Sequence, residues 1–273
     1  MRKVFKITNN YIVLATVLIL YSLISNVYAA FFAVGGVKVI GLIFALILLI
    51  LMTAAFLAGW FKMVKKAVLE ENFNEPNALI KDFPEGVGEY FLPILGMMLK
   101  FAIVFALIGA GVFYLGYHHI GNPNVDWQTF AKVSSDMAGM KAFLLGLQPE
   151  QITKLAQWNQ LTLCGLMFGY FIMFLYPPAL IFKNKNPFIA FFIAIKDLLS
   201  KKFFKTLGVF LLILILNSII SVISVITASN VVLGLISTLA GFYILTASAV
   251  GLFYYYYQNF MTSHLGQNVD VKI

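Results

Sequence analysis

The chain has 273 residues, of which 61% are apolar, 16% aromatic and only 11% charged, and it carries a net charge of +8. A typical soluble domain is about 45–50% apolar and 25% charged, so a globule of this length would lack the polar surface needed to cover itself, whereas a bilayer accepts the excess. The positive charge does not point to nucleic acid, because the cations lie almost wholly in short segments between apolar runs. The single cysteine, Cys164, excludes an intramolecular disulfide and a multi-cysteine metal site.

A helix rises 1.5 Å per residue and the hydrocarbon core is about 30 Å thick, so a span needs roughly 20 mostly apolar residues. The first such run is Tyr11–Phe32, preceded by Arg2, Lys3 and Lys6. With Val27-Tyr28-Ala29 as a small-residue site, this run also has the layout of a signal segment, although it stays apolar beyond that site. The second run is Val39–Trp60, and Lys62–Glu71 reads as its extension beyond the membrane. Pro76 and Pro84 then interrupt regular structure. The third run, Phe91–Tyr117, contains Lys100, the one charge lying more than two residues inside any of these runs.

From about His118 to Gln160 the chain turns polar. Asp126 is placed to cap a helix bearing Trp127, Phe130, Met137, Met140 and Leu144 on one face, which predicts a single amphipathic helix here. Pro149 opens the helix that becomes the fourth run, Leu161–Phe182, whose end is kinked or stopped by Pro177 and Pro178. Cys164 lies in this run and is expected to behave as a small buried hydrophobe. Asn186 and Pro187 predict a cap and a first helical position. The apolar stretch Phe188–Ile195 follows, and then Lys196, Asp197, Ser200, Lys201 and Lys205 fall on one half of a helical wheel, with Lys202 off the arc. That is the pattern of a helix lying in the interface. Phe203–Ala228 and Val231–Tyr254 are the fifth and sixth runs, separated by Ser229 and Asn230 and so antiparallel neighbours. Tyr254–Tyr257 reads as an interfacial aromatic anchor.

The fold class that follows is all-α: a polytopic membrane helix bundle of about six transmembrane helices with amphipathic interfacial helices, forming one integral membrane domain over residues 1–273. A β-barrel is excluded because its strands would alternate over about ten residues, while these runs are long and continuous. Lysine and arginine number 14 on the side of the N-terminus, the second and fourth loops and the tail, against 4 on the other (Lys38, Lys132, Lys141, Lys154). The positive-inside rule then places both termini of this multi-pass protein in the cytoplasm. Ile80-Lys81-Asp82-Phe83 and Ile195-Lys196-Asp197-Leu198 each precede a run, an echo that fits a duplicated helix–interface-helix–helix unit.

No hydrolytic, phosphate-binding or dinucleotide-binding motif is present. His118 and His119 are adjacent, so on a helix they point about 100° apart and lack further ligands; they read as interfacial polar residues, and His264 lies in the cytoplasmic tail. No catalytic, cofactor-binding or metal-binding residue is assigned, and no cofactor is implied. The candidate intramembrane polar and lipid-interface residues are Lys100, Asn217, Lys201, Lys202 and Lys205. Lys100 either snorkels its ammonium to the interface or faces a buried cavity. Asn217 and Ser218, and Thr246 and Ser248, have the character of interhelical hydrogen-bonding groups, and Gly165-x-x-x-Gly169 permits close helix approach.

The stretch Tyr176-Pro177-Pro178-Ala179-Leu180-Ile181, then Asn186-Pro187, Ala190, Ala194 and Lys201-Lys202 before a fresh apolar run, resembles a loose group of bacterial six-helix membrane proteins. That group includes the membrane domain fused to some glycerophosphodiester phosphodiesterases. The likeness covers about 50 residues. It implies a bacterial inner-membrane protein and a fold, and no catalytic residue transfers, because the soluble phosphodiesterase domain has no counterpart in this sequence. Three function classes follow: a non-catalytic membrane component acting through lipid or protein contacts, a transporter or channel for a small solute or lipid, and an intramembrane enzyme. The expected partners are membrane lipids, anionic ones among them, and a membrane protein partner or a second copy of the chain, but no nucleic acid.

Overall fold

The computed structural model describes residues 2–34, 39–70, 76–134, 136–227 and 229–261. Lys38, Glu71, Ala228, His264 and Lys272 lie outside them. Every regular element among the described residues is helical: α1 (Arg2–Asn10), α2 (Val13–Val34), α3 (Val39–Leu69), α4 (Asp82–His119), α5 (Trp127–Val133), α6 (Met137–Leu145), α7 (Pro149–Met173), α8 (Tyr176–Phe182), α9 (Pro187–Leu198), α10 (Phe203–Thr227) and α11 (Val231–Tyr256). A 3₁₀ turn, Pro76–Lys81, leads into α4, and a π-helical turn, Tyr257–Met261, follows α11. Six segments are long and apolar enough to cross a bilayer, built on α2, α3, α4, α7–α8, α10 and α11. The chain is a multi-pass membrane protein.

It divides into two compact units, residues 1–99 with 172–273, and residues 100–171. In the first unit, α1 lays Val4 and Phe5 on α11 at Gly251 and Tyr243, and Tyr11 ends it by donating its hydroxyl to the Glu70 carbonyl. The α2–α3 hairpin is pinned along its length by side-chain hydrogen bonds. Trp60 donates to the Leu14 carbonyl at 3.0 Å, Tyr21 meets Thr53 at 2.6 Å, and Tyr28 donates to the Ala45 carbonyl at 3.1 Å. α10 and α11 form a second hairpin, opened by Asn230, whose side chain accepts from the Val232 and Leu233 amides. The largest fully buried side chains gather at the lysine-rich end: Tyr11, Tyr90, Tyr176, Tyr256 and Phe253. Toward the other end the spans expose Leu, Ile and Val to the outside, as helices solvated by lipid do.

In the second unit, Gly165 and Gly169 lie against α4. A methyl group added at Gly165 would stand 2.5 Å from Val112, and one at Gly169 2.8 Å from Phe105. The small residues therefore set the helix spacing, as their i, i+4 placement predicts. Cys164 differs from expectation, being exposed on the outer face of α7.

Three further expectations are corrected. Pro84 does not interrupt the chain; it sits in the first turn of α4, where its missing N–H has no helical partner to lose. The loop helix is two helices, because Asp136 caps α6 as Asp126 caps α5, each carboxylate accepting two backbone N–H groups. The polar stripe from Lys196 to Lys205 does not share one helix. α9 ends at Leu198, Ser200 and Lys201 lie in a turn, and Lys205 belongs to α10.

Candidate functional site

Small residues bring α3 and α4 together at the lysine-rich end. A Cβ built on Gly86 would stand 2.9 Å from both the Gly59 Cα and the Ala58 carbonyl. This approach places Lys62 2.5 Å from Glu85 and 2.7 Å from Glu89. The other Glu89 oxygen takes Lys185, from the turn after α8, at 2.7 Å. Lys66 pairs with Asp82 at 2.9 Å. Lys65 donates to the Ile181 carbonyl at 3.0 Å, satisfying a group at the end of α8.

A second knot lies beside it. Lys183 meets Asp197 at 2.9 Å, with side chains only 19% and 13% exposed, and the buried Tyr256 hydroxyl donates to the same carboxylate at 2.5 Å. Tyr176 donates to the Pro187 carbonyl at 2.7 Å, and a Cβ on Gly96 would stand 2.7 Å from the Pro187 ring. The start of α9 is thus clamped between α8 and α4. In these knots Asp82, Glu85, Glu89 and Asp197 are each held by lysine, so their role is to fix helices. A carboxylate held in this way is poorly placed to exchange protons with a substrate.

Alongside runs a cleft of about 220 Å³ between α1, α10 and α11. Its walls are apolar: Val4 and Phe5 from α1, Val209, Leu212, Ile213 and Leu216 from α10, and Ile244, Ala247 and Gly251 from α11. Its rim is polar, with Lys205, Tyr254, Gln258 and Asn259. Lys205 donates to Asn259 Oδ1 at 2.9 Å and lies over the Tyr255 ring at 5.9 Å; Lys3 lies over the Tyr254 ring at 5.5 Å. Asn259 also lines an adjoining polar depression formed with Lys183, Asp197, Ser200, Lys201, Lys202 and Phe260.

Of the residues singled out in the sequence, Lys205 is in the cleft and Lys201 and Lys202 are in the depression, where Lys202 donates to the Asn259 carbonyl. Asn217 donates to Ser248 Oγ at 3.0 Å, and Ser248 lines the cleft, so this interhelical bond lies deep along its wall. Lys100 belongs to the second unit and is half-buried in α4. Nineteen residues, about 28 Å of helix, separate it from His119, close to one hydrocarbon thickness.

Glu89, Asp197 and Tyr256 were missed as site residues. The first was legible in principle, since Lys62 and Lys66 on one helix and Asp82, Glu85 and Glu89 on the next recur at helical spacing with opposite charge. The aromatic run is also corrected: Tyr255 and Tyr256 are buried in the bundle. Among the described residues no group of three or more His, Cys, Asp or Glu is placed to hold a metal ion. No family model, no curated protein and no solved structure matches this chain.

Proposed function

We propose that this membrane protein is a non-catalytic component of a bacterial inner membrane, with both termini cytoplasmic, that acts by engaging anionic lipid at its lysine-rich end. The observation that carries this reading is the division of labour among the lysines. Lys62, Lys66, Lys183 and Lys185 are matched to carboxylates that lock helices. The described contacts of Lys202 and Lys205 are instead to Asn259 and to aromatic rings, with Lys201 exposed beside them. Cations that are not consumed by the fold and stand at headgroup level each contribute about 1 kcal/mol toward an anionic surface.

α9 supports the same reading. Ala190, Ala194 and Leu198 face the protein, while Phe188 and Phe192 are 63% and 66% exposed. Each such ring is worth about 1.5–3 kcal/mol when removed from water, so this face belongs in the interfacial layer of the bilayer. The resemblance to bacterial six-helix membrane proteins agrees with this placement.

The test is thermal unfolding in nanodiscs of phosphatidylglycerol or of phosphatidylcholine. Stability should be higher in phosphatidylglycerol, and replacing Lys201, Lys202 and Lys205 together by Gln should remove up to about 3 kcal/mol of that difference. Equal stability in both lipids overturns the proposal. Solute flux by proteoliposomes would favour the transporter reading, which draws on the broken α7–α8 span and the Asn217–Ser248 bond.

A further inference from the structure

The cleft between α1, α10 and α11 has aliphatic walls below a polar, cationic rim. We infer that it holds one anionic phospholipid, its phosphodiester at Lys205 and one acyl chain along the wall from Val209 to Leu216; this deepens the lipid reading above and rests on it.

Four observations converge. First, the cleft has the polarity of an amphiphile, cationic and amide-bearing at the rim and aliphatic below it. Second, its length suits one leaflet. Lys205 and Leu216 are eleven residues apart on one helix, about 16 Å, against about 15 Å for half of the hydrocarbon core. At the deep end Asn217 gives its amide hydrogens to the Ile213 carbonyl and to Ser248 Oγ, so a chain terminus meets no free amide donor there.

Third, a cleft of about 220 Å³ is smaller than the roughly 300–1,000 Å³ pockets that enclose a whole soluble ligand. Its occupant therefore has to continue into surroundings that accept hydrocarbon, and the cleft opens to the outside past Leu212, which is 39% exposed. Fourth, the rim offers donors. The Lys205 ammonium carries three N–H groups and gives one to Asn259 Oδ1, and a phosphodiester offers only acceptors. Lys3 at the Tyr254 ring adds a second cation to the same rim. A zwitterionic headgroup would bring its own ammonium toward these lysines, and an apolar peptide would leave them without an anion.

Because Val4 and Phe5 form one wall, a bound chain is also a packing partner of α1. The lipid is part of what seats the amphipathic helix on α11.

The experiment is native mass spectrometry of the full chain released from nanodiscs containing both phosphatidylglycerol and phosphatidylcholine, with thermal unfolding in the same discs as the check on folding. The wild type should retain phosphatidylglycerol preferentially. Lys205→Gln should lower that preference about fivefold. Ala247→Phe, which fills the cleft, should reduce retention of both lipids; Leu212→Trp serves if Ala247→Phe fails to fold. Lys196→Gln, at the exposed end of α9 and outside the cleft, should lower the preference clearly less than Lys205→Gln does.

If the wild type shows no lipid preference, the functional reading itself fails. If the preference is present but Lys205→Gln and the filled cleft leave it intact, or Lys196→Gln reduces it equally, the cleft is not the site and the attraction is spread over the surface. A change in oligomer mass in place of lipid count on filling the cleft would assign it to a second copy of the chain and overturn the inference.

Discussion

Asp197 shows how much a single side chain does in this bundle. It holds Lys183 at 2.9 Å and accepts from Tyr256 at 2.5 Å, tying the end of α8, the end of α9 and α11 to one carboxylate. Asp197→Asn keeps an acceptor for Tyr256 but leaves the largely buried ammonium without its counter-charge. The expected loss is about 2–3 kcal/mol, somewhat below the 3–5 kcal/mol of a fully buried pair. Denaturant unfolding in detergent checks it, and Lys183→Met combined with Asp197→Leu should recover part of the loss. An unchanged midpoint for Asp197→Asn would show the pair to be a surface contact. None of this was legible from position. Asp197 reads in sequence as one polar residue on the exposed arc of an interfacial helix, and only the arrival of α11 over it turns it inward. Lys205 and Asn217 were legible, because a charge or an amide flanking or inside an apolar run is costly wherever it points.

The elements follow the same logic. Spans are written in long apolar runs, so their existence was clear; of their ends, the extension of α3 past Trp60 was readable and the early start of α4 at Asp82 was not. α3 and α4 continue well beyond the hydrocarbon, since Lys62–Leu69 and Asp82–Glu89 form helix as readily as the apolar stretches do once their charges pair across the two helices. The single helix expected after Asp126 became two because Asp136 offers a second cap, a signal hidden in an unbroken apolar spacing. Asp136→Ala should cost α6 about 1 kcal/mol and lower amide protection in α6 about fivefold in hydrogen exchange, leaving α5 unaffected. Loss of protection across both helices would mean that they form one cooperative helix. Asp126 adds a pH dependence. The Thr129 hydroxyl and backbone N–H hold its carboxyl below the usual carboxylate range. The cap therefore acts in full above the unfolded pKa of about 3.9 and is lost as pH falls through the lower folded value.

Across the whole molecule the cations are strongly divided, 14 on one set of loops against 4 on the other. The folded chain accounts for part of that excess through its ion pairs and leaves Lys201, Lys202 and Lys205 at the cleft and depression. Insertion should place this side in the cytoplasm. With Cys164 replaced, Gln128→Cys in α5 should react with an impermeant thiol reagent in intact cells, and Lys196→Cys should react only after lysis. Labelling with the two sites reversed would invert the topology. The number of spans and the lysine division were readable because both depend only on local composition. The Asp197 knot and the cleft were not, because each is assembled from helices distant in sequence, and single-sequence periodicity carries no record of which helix faces which.

The seating of α1 on α11 fixes an order of events during synthesis. Val4 and Phe5 pack on a helix that begins at Val231. At about 5–20 residues per second, roughly 10–45 seconds of translation separate the two. Throughout that interval the amphipathic α1 has no protein surface to occupy and must rest on the bilayer beside the growing chain. α1, made long before α11, therefore reaches its native partner only once α11 is complete, and that step lifts it off the membrane surface.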